Sequence, residues 1–213
     1  MTHDKNHWYD GWFYDKMIAP NQDRIFREIK KVIEPNSTII DVGCGTGRFS
    51  FSVADKVKSV TGIDLSSKNI ETANQTLQKN PNDKISFLHT NLANLISQNH
   101  HYDYAVMTYV IHEVNPGERI ALLKEMAQIA DKIIIGDYLV PVNKGFWNLL
   151  NVIVEYLAGK EHYANFKDFA ANGGLIRLAE NAGLKIISEI KDKPVTSQLL
   201  VLSKENIPFL KFL

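Results

Sequence analysis

Apolar positions along the chain follow two patterns, short runs rich in β-branched residues and longer stretches with helical spacing. The short runs predict buried strands at 37–42, 57–64, 84–90, 102–110 and 131–139. Helical patterns lie between them at 48–56, 67–80, 92–98 and 116–130, and the last one opens at Pro116. Regular alternation of strand and helix predicts an α/β fold with a parallel sheet.

The C-terminal part of the chain continues this pattern with one change. Helical patterns at 143–158 and from about Phe166 to Ala182 precede two further strands, at 184–190 and 197–204. The link between these strands, KDKPVT, is too short for a crossover helix, so they are expected to pair antiparallel at the sheet edge. The predicted fold is a doubly wound, mostly parallel sheet of seven strands with an antiparallel last strand and a helical cap.

The length of the chain favours a single domain. Its 213 residues are 45% hydrophobic, which is enough to bury one sizeable core. Within residues 1–213 we expect four segments, listed in order: an N-terminal flap and helix (1–35), a ligand-binding core (36–140), a helical cap insertion (141–165), and a C-terminal helix with edge strands (166–213).

Charge and cysteine content indicate which kinds of binding partner and which cellular compartment to expect. Lys plus Arg equals Asp plus Glu at 24 each, so no global field recruits nucleic acid or an anionic membrane. The single cysteine, Cys44, cannot form an intrachain disulfide, and the first ten residues lack the apolar core of a signal peptide. The apolar stretch 145–159 is too short and too interrupted to span a bilayer. These features predict a cytoplasmic protein without stable membrane insertion.

Three glycines at every second position follow the first strand, in the sequence IIDVGCGTGRFS (39–50). A strand, a glycine turn and a helix N-terminus form a site where backbone groups meet a ligand closely, because glycine has no Cβ to block the approach. The alternative is a tight connection without a ligand. Asp64 ends the second strand, where an open α/β sheet places an acid that accepts both ribose hydroxyls of a nucleoside. Its alternative role is to cap the next helix, which Ser66 can also do.

Glycine spacing separates the two nucleoside cofactors that suit this layout. A dinucleotide loop needs G-x-G-x-x-G, whereas position 48 is Arg and the third glycine falls at 47. With its D-x-G-x-G-x-G pattern the sequence resembles the class I S-adenosylmethionine-dependent methyltransferases, which have a Rossmann-like fold. IIDVGCGTG, VTGIDLS, ISFLHTNLAN and YDYAVMTYVIHEV are similar to the first four motifs of that family, in order, between about 36 and 140.

This resemblance implies S-adenosylmethionine as cofactor and assigns roles residue by residue. Asp41 is expected to reach the amino group through water, and the 43–47 turn to hold the methionine part. Asp64 takes the ribose, while Leu65, Asn91 and Leu92 surround the adenine. Tyr109 borders the methionine and the reacting methyl, or else is a core aromatic. The implied cofactor-binding residues are Asp41, Gly43, Cys44, Gly45, Gly47, Asp64, Leu65, Asn91, Leu92 and Tyr109.

Methyl transfer from a sulfonium asks little of the protein beyond aligning the acceptor with the methyl and excluding water. A base is needed only if the acceptor keeps its proton. His112, with Glu113 beside it, is the predicted catalytic base, and Tyr109 is the second catalytic candidate. The alternative is that these residues line the acceptor cavity or face solvent. Weaker candidates are Asp137, Tyr138, His162 and Tyr163. The linear spacing of His, Cys and carboxylates suggests no metal site.

Two aromatic-rich stretches outside the core repeat bear on the acceptor. Residues 7–20 contain two Trp and suggest a flap over the cofactor cleft, or packing against the sheet edge. Residues 143–158 carry an apolar stripe and a second face with Trp147 and Tyr156. That face suggests a pocket for a small aromatic or apolar acceptor, as in methyltransferases that act on quinone precursors, or a homodimer contact. The apolar tail 207–213 suggests a cover for the sheet edge or a contact with a membrane or partner.

Other functions remain open at this point. Nucleic-acid methylation is disfavoured by the neutral charge and by YVIHE at the place of an N/D-P-P-Y/F/W tetrapeptide. Methylation of a protein, and a cofactor-binding protein without catalysis, are both compatible with the motifs. A nicotinamide dehydrogenase is opposed by the missing G-x-G-x-x-G. A small molecule is therefore the expected partner, with no nucleic acid.

Overall fold

The computed structural model describes residues 19–140, 159–191 and 196–204. Its strands are β1 (Thr38–Val42), β2 (Ser59–Asp64), β3 (Ile85–His89), β4 (Tyr102–Thr108), β5 (Ala130–Tyr138), β6 (Leu184–Lys191) and β7 (Ser197–Lys204). Its helices are α1 (Ala19–Val32), α2 (Arg48–Val53), α3 (Ser67–Lys79), α4 (Leu92–Ser97), α5 (Arg119–Ile129), α6 (Lys160–Ala171) and α7 (Gly174–Asn181).

The seven strands form one sheet in the order β3-β2-β1-β4-β5-β7-β6. Strands β1 to β5 are parallel to one another, and β7 runs antiparallel to both of its neighbours, β5 and β6. The predicted Rossmann-like sheet with antiparallel final strands is confirmed. The chain order reverses between β1 and β4, so the carboxyl ends of these two strands lie side by side, which is where ligands bind in open α/β sheets.

Helices cover both faces of the sheet because successive strand residues point to opposite sides. Ile39 of β1 lies in an apolar cluster with Ile25 and Ile29 of α1. The next residue, Ile40, lies in the opposite cluster with Leu123 and Met126 of α5. Such two-sided burial explains why the parallel strands read as continuous apolar runs.

Two predicted helix boundaries differ from the structure. The helix expected from Phe166 to Ala182 is two helices, α6 and α7, because Gly173 and Gly174 adopt φ of 85° and 60° between them. These left-handed conformations end one helix, as glycine commonly does. The helix expected from Pro116 begins at Arg119, after a turn in which Glu118 N–H donates to Asn115 O.

The predicted flap at 7–20, apart from its last residues in α1, and the predicted cap helix at 143–158 lie outside the described residues, as does the tail at 207–213. The four-segment division of the chain therefore stays a prediction. Among the residues whose structure is described, no helix is long and apolar enough to cross a membrane.

Candidate functional site

The glycine turn after β1 is fixed by hydrogen bonds to β2. The backbone amides of Gly43 and Cys44 both donate to Ile63 O, at 2.8 and 2.9 Å. Gly47 N–H closes the turn by donating to Cys44 O at 2.9 Å, directly before α2. A Cβ on Gly45 would meet no atom within 4 Å, so this part of the backbone faces open space. The turn therefore opens its backbone at Gly45, whereas a Cβ on Gly43 or Gly47 would meet the side chain of Val110 or Phe87.

Asp64, at the end of β2, ties the turn to the next helix. Its Oδ2 accepts from Gly45 N–H and its Oδ1 from Ser66 N–H, both at 2.8 Å. Ser66 caps α3 through its own hydroxyl, which accepts from Asn69 N–H, so Asp64 is not the cap of that helix. Burial raises the pKa of Asp64. Each carboxylate oxygen has a second lone pair, so the side chain can still accept a diol.

The residue after Asp64 offers an apolar surface. Leu65 is 43% exposed, one of three large apolar residues exposed to this degree in the described part of the chain, and its side chain is available to a flat ring. On the neighbouring strand β3, His89 Nε2 lies 3.0 Å from Leu65 O. His89 was not singled out in the sequence, since a histidine at the end of a strand carries no motif of its own.

Asp41 lies beneath the glycine turn and is 1% exposed. Its Oδ2 accepts a 2.6 Å hydrogen bond from the Ser50 hydroxyl of α2. Burial raises the pKa of Asp41 to about 7, and the nearby Asp64 charge adds to the effect. Cys44 is also buried, and burial raises its thiol pKa well above the usual value. The predicted water-mediated contact from Asp41 to a ligand amino group stays a prediction.

The two residues expected beside the adenine occupy different environments. Asn91 is the N-cap of α4, and its Oδ1 accepts from Asn94 N–H at 2.9 Å. Its side-chain NH₂ group is not used in that bond. Leu92 is 2% exposed and packs in the apolar core, so its side chain presents little surface to a ring. Both adenine contacts stay predictions.

Tyr109 follows β4 in a left-handed conformation, with φ of 55°. Such a backbone is uncommon for a large residue, and the surrounding contacts must hold it in place. Its N–H donates to Gly136 O at 2.8 Å, and its hydroxyl lies 2.7 Å from Ser197 Oγ of β7. Its ring meets Tyr138 edge to face at 5.6 Å. Tyr109 is thus fixed at the carboxyl ends of β4 and β5.

A polar cluster lies beside Tyr109, formed by His112, Glu113, Asp137 and His162. His112 is 1% exposed, and its Nδ1 lies 2.7 Å from Asp137 Oδ1. Because a carboxylate only accepts, this Nδ1 carries the proton and Nε2 carries the lone pair. Glu113 Oε1 lies 3.8 Å from His112 Nε2 and 3.3 Å from His162 Nε2. The catalytic candidates from three separate segments are therefore brought together.

A buried arginine holds this cluster in place. Arg119 Nε donates to Val114 O at 2.9 Å, and its Nη atoms donate to His112 O, Asn165 O and Asp168 Oδ1. Asn165 Nδ2 in turn donates to Glu113 O at 2.8 Å. Arg119 and Asn165 thereby join the 112–114 loop to α6, which carries His162. Sequence reasoning missed both residues, because Arg119 sits inside a predicted helix and Asn165 lies between two predicted helices without a motif of its own.

The geometry on the β1–β2 side fits a nucleoside ligand. Gly45 opens the backbone, Asp64 supplies carboxylate lone pairs, and Leu65 supplies an exposed apolar face. The polar cluster lies at the ends of β4 and β5, one strand further along the same edge of the sheet. A ligand bound on the first side would thus extend toward the second.

Comparison with known proteins agrees with this layout. A family model described as "Methyltransferase domain" matches residues 39–132. The chain is 33% identical over 79 residues to a probable cobalt-precorrin-6B C(15)-methyltransferase (decarboxylating) of Methanobrevibacter smithii, covering 37% of this chain and 42% of that protein. It is 25% identical over 183 residues to demethylmenaquinone methyltransferase of Bacillus cytotoxicus, covering 77% and 75%.

Solved structures show the same fold. The magnesium protoporphyrin IX methyltransferase of Synechocystis PCC 6803, crystallised with S-adenosylmethionine, aligns with a TM-score of 0.62 at 19% identity, covering 92% of this chain and 87% of that one. Among the first curated relatives, the matched region spans less than half of each protein's own length.

Proposed function

We propose that the chain is a class I S-adenosylmethionine-dependent methyltransferase that methylates a small aromatic or apolar acceptor by in-line displacement. One relative of similar length is named for a menaquinone precursor and a structural neighbour for a porphyrin. Both names are compatible with a flat, largely apolar acceptor.

S-adenosylmethionine is the cofactor, and its sulfonium supplies an already activated methyl group. On the protein side, Asp64 accepts the ribose hydroxyls and the backbone around Gly45 lies along the methionine part. Leu65 covers one face of the adenine. Asp64 also holds Gly45 and Ser66 by its existing hydrogen bonds, so the carboxylate is oriented before the ligand arrives. Preorganisation of this kind lowers the cost of binding.

The acceptor side is formed by Tyr109 and the polar cluster. Tyr109 is fixed by Gly136 and Ser197 at the junction of the two halves of the site, where it can align an acceptor with the methyl group. Glu113 is 37% exposed and is the member of the cluster nearest an open surface. His112 lies behind it, so proton transfer from an acceptor to His112 would pass through Glu113 or a water.

The observation that carries this proposal is the shared edge of the sheet. The nucleoside side at β1 and β2 adjoins the titratable side at β4 and β5, because the strand order reverses between β1 and β4. A cofactor site and an acceptor site that share one edge are what a transfer reaction requires. A binding protein without catalysis gives no reason for the second group of residues.

Calorimetric titration with S-adenosylmethionine, S-adenosylhomocysteine and NAD in parallel tests the cofactor. Binding of the two adenosyl ligands without NAD is expected. Transfer of a labelled methyl group to a panel of phenols, quinols and porphyrins then tests the acceptor class. Adenosyl binding with turnover only on a protein or nucleic acid would overturn the small-molecule acceptor, and NAD binding alone would overturn the cofactor.

A further inference from the structure

The cluster beside Tyr109 contains three side chains of types that commonly bind transition metals. His112, Glu113 and His162 each offer one ligand atom, and these three atoms all lie within 4.8 Å of one another. We propose that they bind a divalent first-row transition-metal ion. The linear sequence gave no sign of this group, because the ligands come from a loop after β4 and from the first turn of α6.

The distances suit a site that closes slightly around an ion. Zinc–nitrogen and zinc–oxygen bonds of about 2.1 Å place two tetrahedral ligands about 3.4 Å apart. Glu113 Oε1 lies 3.3 Å from His162 Nε2 and 3.8 Å from His112 Nε2, close to that separation. The third pair, between the two histidines, lies within 4.8 Å, so the histidine side chains must move toward each other for all three atoms to reach one ion.

Asp137 orients His112 as metal-binding histidines are oriented elsewhere. Metal-bound histidines almost always donate their other ring N–H to a carboxylate, a carbonyl or a water. The 2.7 Å contact between His112 Nδ1 and the buried Asp137 carboxylate is such a contact. The other ring nitrogen, Nε2, lies on the side of Glu113, 3.8 Å from its Oε1. A carboxylate that fixes the orientation of the His112 ring is thus already in place.

The two segments that carry the ligands are also joined firmly. Arg119 donates to His112 O and to Asn165 O, and Asn165 donates to Glu113 O. The loop and α6 therefore keep a fixed relative position. Functional sites of this precision need supporting residues of this kind, since loops alone hold ligands too loosely.

Two imidazole nitrogens and one carboxylate favour zinc, cobalt, iron or nickel over magnesium or calcium, which prefer oxygen ligands. Glu113 and Asp137 also bring two carboxylates to the site, and the charge of Arg119 is directed to Asp168 at 2.7 Å. Three protein ligands leave positions open, as in catalytic metal sites. The following role rests on the proposed function. An ion here would hold an oxygen of the acceptor and lower the pKa of that acceptor group, so that His112 would not be needed as a base.

Titration of the full, chelator-treated chain with Co²⁺ tests the site, because the visible spectrum of Co²⁺ reports its ligands. We expect one ion per chain, with the absorption of a nitrogen- and oxygen-liganded ion, and competition by Zn²⁺. Glu113→Gln and His162→Gln should each weaken Co²⁺ binding by more than about 100-fold, since a ligand is lost outright, and Asp137→Asn by about 10–100-fold.

His101→Gln is the matched control, because His101 is an exposed histidine paired only with Asp131 in the described structure; its variant should bind Co²⁺ unchanged. The spectrum of hydrated Co²⁺ with the unaltered chain, or unaltered binding in folded Glu113→Gln, would overturn the metal site. S-adenosylhomocysteine binding is measured on the same samples with chelator. Its persistence without Co²⁺ binding refutes the metal site alone, whereas its absence refutes the proposed function.

Discussion

Asp64 is the residue whose charge is expected to matter most for cofactor binding. Replacement by Asn keeps the side-chain shape but removes the charge, and the NH₂ group can no longer accept from a backbone amide. Hydrogen bonds to a charged acceptor contribute about 1.5–3 kcal/mol each. We therefore expect Asp64→Asn to weaken S-adenosylhomocysteine binding by at least about 10-fold, measured by calorimetry.

Asp83 supplies the control for this change, since it is an exposed aspartate in the turn before β3. Asp83→Asn should bind S-adenosylhomocysteine as the unaltered chain does. Equal affinities for the Asp64→Asn and Asp83→Asn proteins, both folded, would remove Asp64 from the cofactor site.

Gly45 and Gly47 share a left-handed conformation but differ in their surroundings. A Cβ on Gly47 would lie 2.4 Å from Phe87 Cζ, whereas a Cβ on Gly45 meets nothing within 4 Å. Gly47→Ala combines backbone strain with overpacking and should lower the free energy of unfolding by about 2–5 kcal/mol. Gly45→Ala adds only the strain, about 1–2 kcal/mol, measured by denaturant unfolding.

The same pair separates a structural glycine from a ligand-facing one. The methyl group of Gly45→Ala projects into the open space that we assign to the cofactor, so this variant should lose affinity for S-adenosylhomocysteine while remaining folded. An Ala at 45 that leaves the affinity unchanged would show that the ligand does not approach this backbone.

At the level of helices and strands, the sequence predicts strands better than helix ends. Each strand is buried on one or both faces, so its apolar run is visible in the sequence. The break between α6 and α7 was missed although Gly173 and Gly174 are adjacent, because apolar spacing continues across them. Helix α5 starts later than Pro116 because a turn involving Asn115 and Glu118 comes first.

The candidate site also has one part that the sequence suggests and one part that only tertiary packing reveals. The proposed cofactor side depends on one continuous motif and on Asp64, so the sequence could predict that these residues lie together. The polar cluster depends on α6 packing against the loop after β4, and that contact is made by Arg119 and Asn165. A buried arginine at the start of a helix looks like a surface residue in the sequence, which is why the cluster could be suspected only one residue at a time.

Arg119 is the residue expected to control how α6 sits on the sheet. It is buried, and burial lowers its pKa although Asp168 opposes the shift. Arg119→Gln leaves carbonyl groups of the loop and α6 without their donor, and Asp168 without its cation. Each buried acceptor left without its donor costs about 1–3 kcal/mol, and the ion pair adds little because the Asp168 side chain is 37% exposed. We therefore expect a loss of about 2–5 kcal/mol in denaturant unfolding.

Hydrogen exchange locates the effect. Amides of Lys160–Ala171 should exchange faster in Arg119→Gln, while those of β1 and β2 stay protected. Arg177→Gln is the control, because Arg177 forms an exposed ion pair with Glu180; surface changes of this kind usually stay within about 0.5 kcal/mol. Equal stability of the two variants would contradict the role of Arg119 in joining the 112–114 loop to α6.

At the scale of the whole molecule, the last strand, β7, contacts both faces of the sheet and the candidate site. β7 inserts between β5 and β6, and its neighbouring residues Leu199 and Leu200 enter the two opposite apolar clusters. Ser197 of the same strand meets the Tyr109 hydroxyl. Strand β7 therefore contributes to the apolar clusters on both faces of the sheet and to the contact that holds Tyr109.

The pH dependence of folding should reveal Asp41, whose pKa of about 7 in the fold lies above its usual value of 3.8. Between these two values the folded chain holds a proton that the unfolded chain has released. Stability falls with rising pH wherever the folded state binds more protons. Asp41 should thus lower the free energy of unfolding as pH rises from about 4 to 7, by roughly 4 kcal/mol at most.

Carboxylates with lowered pKa, such as Asp103, act in the opposite direction at lower pH, so the comparison must be between variants. Asp41→Asn removes only the Asp41 contribution, and its amide oxygen can still accept from the Ser50 hydroxyl. Its free energy of unfolding relative to the unaltered chain should therefore rise steadily between about pH 4 and 7 and then level off, since above pH 7 the carboxylate of Asp41 is ionised in both states. Asp83→Asn should show a constant difference over this range. A constant difference for Asp41→Asn as well would mean that the buried carboxylate stays ionised beneath the turn.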